Sequence, residues 1–154
     1  MSPVASILDR EIKLVSRFLA LLGQEQEALK SANPTALPEI GREKNLLVEQ
    51  LNSIEAERNR ALGEPYARQG KNGMLAWLAA HADATECGTL WQELLAQAQE
   101  ARQMHQLNAG LLALHINKTN EALAILTRHN NDHTLYGANG QTAAYTGSRI
   151  VDSA

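Results

Sequence analysis

A heptad pattern in residues 37–61 constrains the fold more than any other feature of the chain. Side chains suited to a helical interface recur there in steps of three and four, at Leu37, Ile40, Lys44, Leu47, Leu51, Ile54, Arg58 and Ala61. This spacing puts all eight positions on one side of a helix, where they form a seam for a neighbouring helix. Lys44 and Arg58 are expected to pack their stems in the seam and to extend their charged ends into water.

The neighbouring segments predict three more helices. Ser2 is typical of an N-cap and Pro3 of a first helical position, so one helix is predicted over about residues 3–32. The heptad helix itself is predicted over 36–62, because a glycine and then a proline follow it. A short apolar helix is predicted over 74–81, and a long helix without proline over 84–130.

Together these segments predict an all-α protein. Aromatic residues make up only 4% of the chain and strand-forming residues are scarce. Each amphipathic helix needs a neighbour to cover its apolar stripe, and helices of this length do not pack around a sphere. We therefore expect an elongated antiparallel bundle of three long helices and one short helix over residues 1–131, followed by an irregular, flexible C-terminal tail over residues 132–154.

Charge and cysteine content exclude several classes of protein. The net charge is −3, from 14 basic and 17 acidic residues that form no block, so no nucleic-acid partner is expected. Cys87 is the only cysteine, which excludes an internal disulfide and a thiolate zinc cluster. No signal-peptide core or membrane-spanning apolar run is present. The sequence therefore predicts a soluble cytoplasmic protein without membrane insertion.

The histidines do not form a convincing catalytic or metal site. His129 and His133 have zinc-like spacing, but Asn130 replaces the glutamate of a zinc-hydrolase motif. His105 is in a context like that of a histidine phosphotransfer bundle, although Asn108 stands where a cation would steady the phosphoryl group. We therefore expect no catalytic residue, no metal and no cofactor. A phosphotransfer-like signalling bundle stays as an alternative function.

The surface of the last predicted helix is poor in charge. Only seven of its side chains are charged, namely Glu86, Glu93, Glu100, Arg102, Lys118, Glu121 and Arg128. A surface of this kind tolerates being covered by a partner helix, because little charge is stripped of water. Two interpretations stay open here: a surface that a partner helix covers, or simply a surface of helix-compatible polar residues. The oligomeric state also stays open, because exposed seam residues could pair two copies in a homodimer or bind another protein.

The C-terminal third has a recognisable signature. The segment "NAGLLALHINKTNEALAIL", residues 108–126, is followed by "TLYGANGQT", residues 134–142. The order of helix and tail resembles the C-terminal signature of the FlgN family. The matching helical positions are Asn108, Gly110, Leu111, Leu112, Ile116, Asn120, Ala122, Leu123 and Leu126. Asn139 departs from the aspartate that the family usually has in the tail.

The resemblance implies a cytoplasmic chaperone for flagellar hook-associated proteins, the junction proteins between hook and filament. Such a chaperone binds the C-terminal segments of its clients, prevents their premature polymerisation and delivers them to the flagellar type III export apparatus. The partner-binding residues are expected to be Asn108, Leu111, Leu112, Ile116, Asn120, Leu123, Leu126, Leu135 and Tyr136. A coiled-coil assembly factor without a secreted client is the remaining alternative.

Overall fold

A computed structural model describes residues 1–31 and 33–131. Four α-helices are present: α1 (Pro3–Lys30), α2 (Leu37–Leu62), α3 (Lys71–Ala80) and α4 (Thr85–Asn131). Short 3₁₀ turns precede α2 and α3. No strand occurs in these residues, so the predicted all-α class is confirmed.

The chain divides into two compact units, Met1–Leu111 and Leu112–Ala154. The structure describes the second unit over residues 112–131, which continue α4. The predicted boundary between bundle and tail at residue 131 stays a prediction.

The ends of α1 and α2 follow from local sequence. The Ser2 hydroxyl accepts a hydrogen bond from the backbone N–H of Ala5 over 3.2 Å, and Pro3 is the first helical residue, as predicted. Gly63 ends α2 with φ +74°, a conformation that favours glycine. The observed ends of these two helices differ from the predicted ones by at most two residues.

Helix directions in the first unit follow from contacts between side chains. Glu11 pairs with Arg58 and Glu25 pairs with Lys44, so α2 runs antiparallel to α1. Contacts between α1 and α4 keep a nearly constant sequence separation, at Ser2 with Cys87, Ser16 with Gln97 and Leu22 with Asn108. The helices α1 and α4 are therefore parallel to each other, and α2 runs against both.

The short helix α3 contributes to the core of the first unit. Met74 is fully buried, in a core cluster made with Val4, Ala5, Leu8, Ile12, Val15, Leu62, Cys87, Trp91 and Leu94. The helix begins at Lys71, three residues before the predicted start, because Gly70 turns the chain there with φ +58°. Gly73 lies against the backbone of Tyr66, where an added Cβ would be 2.1 Å from the carbonyl oxygen.

The expectation that Lys44 and Arg58 extend their charged ends into water is wrong. The Lys44 side chain is only 15% exposed, and its ammonium group binds the Glu25 carboxylate. Arg58 lies deeper still. The side chain is buried, its guanidinium binds both carboxylate oxygens of Glu11, and its Cζ lies 5.0 Å from the ring centroid of Trp91. Burial raises the pKa of Glu11, although the hydrogen bonds and charge of Arg58 act in the opposite direction. This layer joins α1, α2 and α4.

Candidate partner-binding surface

A second polar cluster anchors α4 close to the end of the first unit. The Asn108 side chain is 2% exposed, and its amide nitrogen donates to the Leu22 carbonyl over 2.8 Å and to the Glu25 carboxylate over 3.0 Å. Lys44 donates to the same carboxylate over 3.0 and 3.2 Å. One buried amide therefore links α4 to α1, and through Glu25 to α2.

Exposed apolar side chains are concentrated in the second unit. Among the described residues, eleven large apolar side chains are exposed. Six of them lie within the fifteen residues 112–126, at Leu112, Leu114, Ile116, Leu123, Ile125 and Leu126. A concentration of this kind marks an interaction surface more strongly than apolar side chains scattered singly.

Four of these six side chains lie on one side of the helix. Leu112, Ile116, Leu123 and Leu126 follow one another in steps of four, seven and three residues, and Thr119 fills the place between the middle two. These five positions, which we name the 112–126 seam, have the heptad spacing of a surface that packs against another helix. All five are exposed in this structure.

The positions beside the 112–126 seam carry no fixed charge. Heptad spacing puts Ala113, His115, Asn120, Ala122 and Thr127 next to the seam, and the charged residues of this segment elsewhere on the helix. The Thr119 hydroxyl donates to the His115 carbonyl over 3.0 Å within the helix. Its hydrogen-bonding need is already met, so covering the seam would strand no unpaired polar group there.

The predicted partner-binding residues fall into four groups. Leu112, Ile116, Leu123 and Leu126 are together on the seam, and Asn120 is exposed at its edge. Leu111 is half-buried in the first unit. Asn108 is buried and bonded inside the first unit, which suits an anchoring role for its side chain. Leu135 and Tyr136 lie outside the described residues.

Sequence reasoning missed two exposed apolar side chains, Leu114 and Ile125. At 3.6 residues per turn they lie on the side of the helix opposite the 112–126 seam. The sequence does contain the pattern that identifies them, because each lies two residues after a leucine of the seam and therefore on another side of the helix. A search for a single apolar stripe does not detect such residues.

Outside the 112–126 seam, the described chain has two open depressions and an exposed histidine that bear on the alternative functions. Two open depressions, of about 580 and 370 Å³, lie on the α1–α2 side and share Ala20 and Gln24. His105 is exposed, and Asn108, one turn later, is bonded to Glu25 inside the bundle. Residues 1–31 and 33–131 contain no group of three histidine, cysteine, aspartate or glutamate side chains placed to hold a metal ion.

Comparison with known proteins decides the family. The sequence profile described as FlgN protein matches residues 1–144. The chain belongs to the FlgN family. The flagella synthesis protein FlgN of Escherichia coli strain K12 is 31% identical over 145 residues, which cover 93% of this chain and 92% of that protein. The protein of the same name from Salmonella typhimurium strain LT2 is 28% identical over the same coverage. No solved structure matches.

Family membership confirms the resemblance found in residues 108–142 and indicates a role in flagellar assembly. No helix in the described part of the chain has an apolar stretch that could cross a bilayer. Within this FlgN-family chain, the exposed 112–126 seam belongs to the same segment that carries the helical part of the family signature.

Proposed function

We propose that this chain is a cytoplasmic chaperone of flagellar assembly. It binds the C-terminal segments of hook-associated proteins, prevents their premature polymerisation and delivers them to the flagellar type III export apparatus. The observation that carries the proposal is the exposed 112–126 seam in a chain of the FlgN family.

The seam suits an amphipathic helical client. An amphipathic helix lays its apolar face along such a surface through side chains three, four and seven residues apart. Client segments that polymerise through apolar faces would self-associate if those faces stayed exposed. Covering these faces therefore keeps the client monomeric. The seam offers Leu112, Ile116, Leu123 and Leu126 as anchors over roughly 21 Å of helix, at 1.5 Å per residue.

The uncharged flanks bear on affinity and release. Binding at this surface removes little ionic hydration, so the desolvation cost is small, and no ion pairs across the contact prolong the complex. A contact of about two heptads also buries less surface area than a standard protein interface. Both features favour a complex that forms readily and still releases its client at the export apparatus.

A direct binding experiment tests the proposal. The purified chain is titrated with C-terminal segments of hook-associated proteins by calorimetry, and client polymerisation is followed by light scattering with and without the chain. We expect saturable binding and suppressed polymerisation, and reduced secretion of hook-associated proteins in cells without the chain. Absence of binding to every hook-associated segment would reject the chaperone function and leave a coiled-coil assembly factor without a client.

A further inference from the structure

A second apolar face lies opposite the 112–126 seam. It contains Leu114 and Ile125, whose side chains are 59% and 65% exposed. A client that covers the seam would leave both in water, because they lie on the far side of the helix. The segment is therefore apolar on two opposite sides, a pattern typical of a helix with a neighbour on each side.

Two opposite charges lie between these apolar residues on the same face. Lys118 and Glu121 continue the spacing from Leu114 to Ile125 in steps of four, three and four residues. Both charged residues are exposed, and no ion pair joins them to another described residue. We name these four residues the 114–125 face.

The four residues of the 114–125 face can pair with the same four residues of a second copy that runs in the opposite direction. If a second copy lies antiparallel, Leu114 of each copy meets Ile125 of the other, and Lys118 of each meets Glu121 of the other. All of these pairs are centred on the same point along the helix, so a single two-fold axis relates the two copies in all four layers. This is the self-complementarity that an isologous dimer requires, and an antiparallel coiled coil pairs its core positions in this way.

We propose that the 114–125 face binds a second copy of this chain in an antiparallel two-fold contact. A parallel pairing would put Lys118 against Lys118 and Glu121 against Glu121, which like-charge repulsion disfavours. Within residues 114–125 the flanking positions His115, Asn117, Ala122 and Ala124 carry no fixed charge, and the two alanines let the helices approach closely. The next position on this face is Arg128, which lies outside the four layers.

The contact leaves the opposite side of the helix free. Ile116 and Leu123 face away from the 114–125 face, so a dimer keeps the 112–126 seam exposed for another partner. Four layers span only roughly 16 Å of helix. The contact therefore buries less surface area than a standard interface, so the association is weak and depends on concentration. The inference does not depend on the proposed function, and its test needs no client.

Charge reversal in the full-length chain tests the pairing. Lys118→Glu puts a second carboxylate opposite Glu121 of the other copy, and Glu121→Lys creates the equivalent clash of lysines. Each single variant is expected to raise the dimer dissociation constant by about tenfold or more, since two attractive pairs become repulsive. An equimolar mixture of the two variants, and the double variant Lys118→Glu/Glu121→Lys, are both expected to associate as the unchanged chain does.

Sedimentation equilibrium over a wide range of concentrations measures these constants, and circular dichroism verifies helical content. Leu114→Ser/Ile125→Ser is expected to abolish association, whereas Leu123→Ser on the opposite side leaves it unchanged. A chain that stays monomeric at every concentration overturns the proposal. So does association that survives both charge reversals, or that Leu123→Ser removes, because the 112–126 seam would then be the contact.

Discussion

The side-chain amide of Asn108 donates a hydrogen bond to the backbone carbonyl of Leu22 over 2.8 Å, and so joins the last helix to the first. The same nitrogen reaches the Glu25 carboxylate, while the amide oxygen is buried without a partner in this structure. Asn108 belongs to the family signature, and its place in the first unit suits a positioning role better than contact with a client.

Replacing Asn108 by alanine is predicted to lower the free energy of unfolding by about 1–3 kcal/mol, because one buried and one partly buried hydrogen bond are lost. Urea denaturation measures the change. Asn117→Ala is the matched control, since Asn117 is exposed on the same helix, and it should change stability by no more than about 0.5 kcal/mol. If Asn108→Ala keeps full stability but weakens client binding, Asn108 contacts the client instead.

The pairing of Glu11 with Arg58 gives a second prediction. Arg58→Met leaves a buried carboxylate without its cation and is expected to cost about 3–5 kcal/mol at neutral pH. The double variant Glu11→Leu/Arg58→Met should lose less than Arg58→Met alone, because no unpaired charge is left in the core. A double-mutant cycle measured by urea denaturation gives the interaction free energy between Glu11 and Arg58. Losses of stability that simply add would contradict the prediction.

The same pair predicts how stability depends on pH. Burial already raises the pKa of Glu11, and Arg58→Met removes the group that opposes this shift. The folded variant then binds a proton more tightly than the unfolded chain. The contribution of Glu11 to the free energy of unfolding should therefore fall as the pH rises from the unfolded to the folded pKa of Glu11. Glu57, whose pKa the Arg10 guanidinium lowers, acts in the opposite direction over the acidic range, so the reference is Glu11→Leu/Arg58→Met. Unfolding of both variants measured across the acidic range tests this, and stability of Arg58→Met that rises relative to the double variant over the window would contradict the prediction.

Two glycines give opposite predictions for the same substitution. Gly73→Ala puts a methyl group 2.1 Å from the backbone oxygen of Tyr66, so the start of α3 must move, at a cost of about 1–3 kcal/mol. Gly88 is helical and has no neighbouring atom within 4 Å of an added Cβ, so Gly88→Ala should gain about 0.5–1 kcal/mol. Thermal unfolding of both variants measures the difference, and equal effects would contradict the close contact at Tyr66.

The helices were predictable because their signals are local. Heptad spacing, the Ser2 cap and the Gly63 stop each act within a few residues, and the observed ends of α1, α2 and α4 lie within two residues of the predicted ones. The start of α3 was less predictable, because it depends on the positive φ of Gly70.

Partners on other helices were not predictable. The spacing of α2 identifies Arg58 as a seam residue, but only the position of Glu11 on α1 compensates its burial. Asn108 likewise looks like a surface amide until the carbonyl of Leu22 is known to lie beside it. The seam residues of the candidate site could be listed from the sequence because their spacing along α4 is a local pattern, whereas their exposure depends on which other helices lie nearby. Leu114 and Ile125 were missed because only one apolar stripe was sought.

Leu135 and Tyr136 lie outside the described residues, and their role in binding stays a prediction. Replacing both by serine should weaken binding of the client segment or of the export apparatus, because two apolar contacts are lost from an uncharged stretch. Circular dichroism should show unchanged helical content. Asn139→Asp, which restores the residue that the family usually has, is the control and should bind normally. Unchanged affinity for both partners would remove these two residues from the mechanism.

The 112–126 seam gives the prediction closest to function. Leu126→Ser and Leu123→Ser should each weaken binding of hook-associated C-terminal segments by about tenfold, since a buried leucine contact contributes about 1.5 kcal/mol or more. Leu46→Ser on α2 is the matched control, because Leu46 and Leu126 are both 60% exposed. Exposed serines cost little fold stability at any of the three positions, so a difference in calorimetric affinity reports the contact itself. If Leu46→Ser weakens binding as much as Leu126→Ser, the client does not distinguish the seam from other exposed leucines, and the seam is not its site.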